Sequence, residues 1–247
     1  MTQSKWVVIP KLNPTATVRL LCLPYAGGSA AVFHRWSDRF SREIEVCAVQ
    51  LPGRSTRLQE APFTSMPLLV EALASALHPY LDKPFAMFGY GMGALIGFEL
   101  ARYLRKSSGA LPNHLFVGGR QAPQIPINSS PSYNLPEQEF ISALAALNGT
   151  PTEVLESPEL MELILPLLRA DFELAKTYIY RAEPPLDALI SAYGGQLDAE
   201  LTREGLEGWS VHTSAEFKVR VFPGDHFFLH TKQLSLIRAI ESELAAS

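Results

Sequence analysis

Six short apolar runs punctuate the chain: Val18–Leu23, Glu45–Gln50, Phe85–Phe88, Leu115–Gly118, Leu189–Tyr193 and Phe217–Phe222. All but the last, which alternates with Lys218 and Arg220, are near-continuous in apolar residues, the pattern of strands buried on both faces. Between them the apolar spacing switches to that of helices. Ala30–Phe40 and Met66–Tyr80 have this spacing, the latter through Leu69, Leu73, Ala76 and Leu77. Behind Phe88 it continues through Ala94, Phe98, Ala101 and Leu104. Strands alternating with helices predict an α/β fold with a mostly parallel central sheet and helices on both faces.

The rhythm changes near Ile125. Ser129-Ser130-Pro131-Ser132 and Leu135-Pro136 are loop signals. Helical patterns follow at Glu137–Leu147 and Pro158–Tyr178, separated by Gly149-Thr150-Pro151, with no strand between them. This predicts one domain over 1–247 with an inserted helical lid over 125–185, lying across the C-terminal edge of the sheet. Leu234–Ala246 closes the chain as a helix. Phe140, Leu144, Leu147, Leu163, Leu165 and Phe172 are candidates to line a channel, although packing of the lid on the sheet accounts for most such positions.

Composition narrows the class. Of 247 residues 19% are charged, and the net charge is -4 with no basic block, which argues against nucleic acid as a partner. No apolar run is long enough to span a bilayer, and Met1–Trp6 lacks an apolar signal core, so a cytoplasmic protein is expected. Cys22 and Cys47 lie inside strands and read as small buried hydrophobes. No metal is expected: His226 and His230 are four apart but have no third ligand nearby. No cofactor is expected either.

The chemistry centres on Phe85-Ala86-Met87-Phe88-Gly89-Tyr90-Gly91-Met92-Gly93, a strand, a sharp turn and the start of a helix. Gly-x-Ser-x-Gly at such a turn holds a nucleophile on a strained backbone. Here Gly89 and Gly93 keep the frame, and Gly91 occupies the nucleophile position. A nucleophile, acid and base follow in that chain order in hydrolases built on this turn. The matching positions are Gly91, then Asp198 behind Gly194-Gly195, then His226 behind Pro223-Gly224, beside Phe227 and Phe228. An oxyanion would be held by the backbone N–H of Met92 and by one from the Tyr25-Ala26-Gly27 loop.

Six motifs in order resemble the type II thioesterases, the stand-alone editing enzymes of nonribosomal peptide and polyketide synthesis. They are Leu23-Pro24-Tyr25-Ala26-Gly27-Gly28-Ser29, Leu51-Pro52-Gly53-Arg54, the Gly89–Gly93 turn, Leu168-Arg169-Ala170-Asp171-Phe172, Gly195-Gln196-Leu197-Asp198 and Pro223-Gly224-Asp225-His226-Phe227-Phe228. The resemblance covers nearly the whole chain. It implies an α/β-hydrolase with a mobile lid that removes acyl groups from the phosphopantetheine arm of acyl- or peptidyl-carrier proteins, acting as a monomer. By position it makes Gly91 the nucleophile site, Asp198 the acid, His226 the base, and Ala26 and Met92 the oxyanion donors. Two positions depart from the family pattern: Gly91 stands for Ser, and Asp225 for a second Gly.

Gly91 leaves three readings. The change is an engineered knockout, or a natural loss of hydrolysis that kept carrier-protein binding, or His226 activates water directly. Removing a triad serine costs about 10⁶ in kcat in the best-studied case, so a feeble hydrolase is expected. Retention of both Asp198 and His226 argues against a long-abandoned catalytic site.

Overall fold

The computed structural model describes residues 4–126, 132–147, 149 and 152–246. The predicted loop signal at 129–131 and the break at 150–151 lie outside the described residues. Seven strands form one sheet. In chain order they are β1 (Val7–Val8), β2 (Val18–Leu23), β3 (Ile44–Val49), β4 (Phe85–Tyr90), β5 (His114–Gly118), β6 (Leu189–Gly195) and β7 (Phe217–Phe222). Their spatial order is β1-β3-β2-β4-β5-β6-β7, with every pair parallel except β1–β3. All residues of β3, β4 and β5 are buried, which is why these runs lack polar alternation.

Side chains alternate strictly between the two faces. Leu21, Leu23, Met87, Leu115 and Val117 face α1 (Met66–Leu77) and α2 (Met92–Ser107). Leu20, Cys22, Phe88, Phe116 and Tyr193 face the 30–40 segment and the C-terminal helices α7 (Phe228–Thr231) and α8 (Gln233–Leu244). Both cysteines are buried and free, as read from the sequence.

The chain runs from β2 to β3 on one side, then crosses to β4 on the other side of β2. Loops leaving β2 and β4 therefore diverge, and in open parallel sheets the crevice between such loops receives ligands. Gly91 and Tyr25-Ala26-Gly27 lie in these two loops.

Three details differ from the sequence reading. Ala30–Phe40 is not a helix but two short 3₁₀ turns, Ala30–Phe33 and Trp36–Asp38. Phe33, Trp36 and Phe40 still pack inward, so burial rather than helix length produced the apolar signal. In α1, Val70 and Ala74 join the buried stripe, whereas Ala76 is only half-buried. Finally, β1 is a two-residue antiparallel edge strand, too short to leave a periodic pattern.

Between β5 and β6 stand α3 (Glu137–Ala146), α4 (Thr152–Leu155) and α5 (Pro158–Lys176). They share a small apolar core of Phe140, Leu144, Met161, Leu165 and Leu168. Past β6 comes α6 (Arg203–Glu207).

Candidate active site

The turn after β4 is set by glycine packing. A Cβ at Gly93 would lie 2.2 Å from the Leu23 carbonyl oxygen, and one at Gly89 would lie 2.2 Å from the Gly93 carbonyl oxygen. Neither position can carry a side chain while α2 starts this close to β2 and β4. Gly91 is different. It sits at φ 54°, ψ -115° as the N-cap of α2, and its N–H donates to the Gly118 carbonyl at 2.8 Å. A Cβ there would meet only Tyr25, with Tyr25 Cβ at 3.4 Å, an ordinary contact. Packing forces glycine at 89 and 93; at 91 it leaves room.

Asp198 and His226 come together from separate loops. His226 Nδ1 lies 2.7 Å from Asp198 Oδ2, and the Asp198 carboxylate is fully buried. Asp198 Oδ1 accepts the Glu200 backbone N–H at 3.0 Å. With Asp198 accepting from Nδ1–H, Nε2 of the neutral ring is left as the acceptor. Burial pulls the imidazole pKa down, but the hydrogen bond and charge of Asp198, helped by Glu200 and Asp225, outweigh it and leave it raised. The residue's main chain is also held: the Tyr90 hydroxyl donates to the His226 carbonyl.

Gly91, Met92, Ala26 and His226 all line one cavity of about 370 Å³. The backbone N–H groups of Ala26 and Met92 make no hydrogen bond among the described residues. Met92 is the first residue of α2, where N–H groups lack partners within the helix and the helix dipole is positive. The cavity wall thus brings together a carboxylate-backed imidazole, the Gly91 turn, and two residues, Ala26 and Met92, whose N–H groups have no partner among the described residues.

The sequence paired Phe227 with Phe228 beside His226. Only Phe227 lines the cavity, its ring set edge-on to Tyr25 with centroids 5.4 Å apart. Phe228 is fully buried in the core, stacked on Phe222. Of the six channel candidates named from the sequence, Leu144, Leu147 and Phe172 line the cavity. Phe140 and Leu165 belong to the helices' own core, and Leu163 is half exposed. His230 bonds Tyr25: its Nε2 lies 2.9 Å from the Tyr25 hydroxyl. Asp225 has no positive φ and accepts the Phe227 N–H at 2.9 Å, so this position does not need glycine here.

A constellation that the sequence did not assign joins three of the motifs. Asp171, on α5, accepts two hydrogen bonds from Arg54 at 2.8 Å each. It also accepts the Gly27 backbone N–H at 2.7 Å. Arg54 in turn donates to the Gly28 carbonyl at 3.1 Å. This buried pair ties α5 to the loop that carries Ala26. Its only sequence signal was a charged residue inside each of two apolar motifs, and charge is rarely buried unless paired.

The parallel order, the β4–α2 turn and the His–Asp pair define the class: an α/β-hydrolase. A family model described as "Thioesterase domain" matches residues 18–244, and the chain belongs to that thioesterase family. The gramicidin S biosynthesis protein GrsT of Aneurinibacillus migulanus is 46% identical, over 98% of this chain and 94% of its own length. The linear gramicidin dehydrogenase LgrE of Brevibacillus parabrevis is 44% identical, over 99% of this chain and 94% of its own. Among solved structures, the type II thioesterase BorB from the borrelidin biosynthetic cluster is 34% identical with a TM-score of 0.88, covering 99% of this chain and 100% of that one. The chain is thus a thioesterase-type hydrolase by family and by fold.

Proposed function

We propose that the protein is an editing thioesterase that hydrolyses acyl or aminoacyl thioesters on the phosphopantetheine arm of carrier proteins, slowed by the missing hydroxyl at position 91. The observation that carries this is His226, bonded to the buried Asp198, on a cavity wall shared with Gly91, Ala26 and Met92. In this reading His226 Nε2 takes a proton from water as its oxygen attacks the thioester carbon. The oxyanion faces the Ala26 and Met92 N–H groups. On collapse the C–S bond breaks, and His226 returns the proton to the thiolate, leaving a free acid and the carrier thiol. A serine hydroxyl in place of Gly91 would replace water in the first step. The lid is the segment over 125–185, and the protein acts as a monomer in the cytoplasm.

Turnover of acyl-pantetheine by this chain, its Gly91→Ser variant and its His226→Ala variant tests the reading. Turnover that needs His226 and rises in the Gly91→Ser variant supports it. Carrier-protein binding with no turnover in any variant would make the protein a non-catalytic partner of a synthetase.

One observation favours a second reading. Gly91 turns the elbow into Gly89-x-Gly91-x-x-Ala94 between a strand and a helix, the form in which dinucleotide pyrophosphates meet a helix N-terminus. LgrE, 44% identical, carries the name of a dehydrogenase. In this reading the Gly89–Gly93 turn and the N-terminus of α2 would hold a reduced nicotinamide dinucleotide, which would supply the hydride for reducing a carbonyl to an alcohol, and His226 would supply the proton. Gly89 and Gly93 are required by packing alone, so Gly91 is the position that argues for it. Saturable quenching or enhancement of NADH or NADPH fluorescence that Gly91→Ser abolishes would favour this reading; its absence would remove it.

A further inference from the structure

The chain leaving α5 runs between two cavities. Lys176, Tyr178 and Tyr180 line the cavity that holds Gly91 and His226. Thr177, Ile179 and Arg181, the alternate positions, line a second cavity of about 450 Å³ that neither reading uses. Tyr178 lines both, and no other described residue does. Its hydroxyl donates to Glu99 Oε1 of α2 at 2.6 Å, and Glu99 lines the second cavity. Burial and the bond to Glu99 push the phenol up, so it stays a donor at neutral pH. Three residues on, the Arg181 carbonyl accepts from the Arg102 guanidinium at 2.6 Å. The 176–181 segment is thus pinned on α2 at two points, and the Tyr178 side chain fills the space between segment and helix where the cavities meet.

The same residue limits how far a ligand can reach from the Gly91 turn. Glu99 stands seven residues past Met92 on α2, so at about 1.5 Å per residue the Tyr178 hydroxyl lies about 10 Å along the helix from the Met92 amide. An extended chain covers about 3.8 Å in three bonds, so this span takes about eight bonds. Ile125, Leu144, Leu168, Phe172 and Ala175 give the first cavity an apolar wall suited to such a chain. In the second cavity the charges answer one another, Glu99 with Arg102 and Glu183 with Arg102 and Lys106. Met66, Pro67 and Val70 add apolar surface there. We infer that Tyr178 is the stop for the acyl chain: its ring sets the longest acyl group the site holds, and without the ring the second cavity continues the channel. This rests on the thioesterase reading of the first cavity.

Because the chain lacks a nucleophile, binding is the readout. Straight-chain acyl-pantetheine analogues with a methylene in place of the thioester sulfur are ketones, inert to hydrolysis. Calorimetry on the unmodified chain, with acyl groups from about two to about fourteen carbons, is expected to show binding tighten about fourfold per methylene. The gain should stop at about eight carbons, where the chain meets the ring. Tyr178→Ala is expected to bind the short members as the parent does and to move that break several carbons further. Tyr178→Phe keeps the ring, loses the bond to Glu99 and should keep the parent's break. Should the alanine variant not melt cooperatively, Tyr178→Leu, which still packs but falls short of Glu99, is expected to move the break in the same direction. An unmoved break in the variants without the ring, or no break in the parent, overturns the inference and leaves the thioesterase reading standing. A break that moves as far in Tyr178→Phe overturns it too, since the ring is still there. Failure of every member to bind the parent overturns the thioesterase reading as well.

Discussion

Tyr25 stands against the open side of Gly91: its Cβ lies 3.4 Å from where a side chain at 91 would begin, with no other atom outside the chain neighbours that close. The turn therefore has room for a side chain at 91, although its backbone would strain one. Gly91→Ser is expected to gain acyl-thioester hydrolysis by at least three orders of magnitude, within the roughly 10⁶ that separates a triad with and without its serine. It is also expected to lose about 1–2 kcal/mol of stability, because a Cβ at φ 54° is strained. Steady-state kinetics on acyl-pantetheine and a denaturant melt check both. An inert Gly91→Ser variant would refute the assignment of this turn.

The Asp198–His226 bond gives a pH signature. Hydrolysis needs the neutral imidazole, so the rate rises with pH through the His226 pKa, which is raised above the usual 6.5. In the Gly91→Ser background, Asp198→Asn removes the hydrogen bond and charge that raise it. The acid limb of the kcat/KM profile should then move to lower pH, and kcat should drop by about 10⁴, as when the aspartate of a serine-protease triad is amidated. An unmoved limb would show that Asp198 does not govern this ring.

Arg54 and Asp171 are a buried ion pair, with side chains only 4% and 2% exposed. Arg54→Met leaves the carboxylate unpaired and should cost about 3–5 kcal/mol in urea unfolding. Adding Asp171→Leu should recover part of that loss while leaving the Gly27 N–H without its acceptor. If Asp171 sets the Ala26 loop, the double variant will be more stable than Arg54→Met alone, yet slower than the parent when both are compared in the Gly91→Ser background. Equal rates would confine the pair to a structural role.

Two other histidines contribute to acid stability. Burial holds both His114 and His212 down to about 4, helped by the charges of Lys218 and Arg102 respectively. Their folded pKa values lie below the ordinary 6.5, so their contribution is complete above pH 6.5 and lost as pH falls toward 4. For His114 alone the loss is on the order of 3 kcal/mol. His226 has the opposite sign: its contribution is present below 6.5 and fades as pH rises through its raised pKa. Urea unfolding from about pH 7 to about pH 4.5 should show stability falling with acid, and His114→Gln should flatten part of the slope.

Strand order along the chain, the glycine-framed turn and the candidate triad positions were legible from residues alone, because buried parallel strands leave continuous apolar runs and sharp turns demand glycine. The short 3₁₀ turns over 30–40 were not, since inward-facing Phe33, Trp36 and Phe40 give the same apolar spacing as a helix. What the chain alone determined was which chemical groups stand just past which strands. That Arg54 meets Asp171 across 117 positions, that Phe227 faces the cavity while Phe228 turns into the core, and that Gly91 has room where Gly93 has none were settled only in three dimensions. Periodicity fixes the face on which a side chain lies within its own element; its partner there comes from an element distant in sequence, and only packing brings the two together.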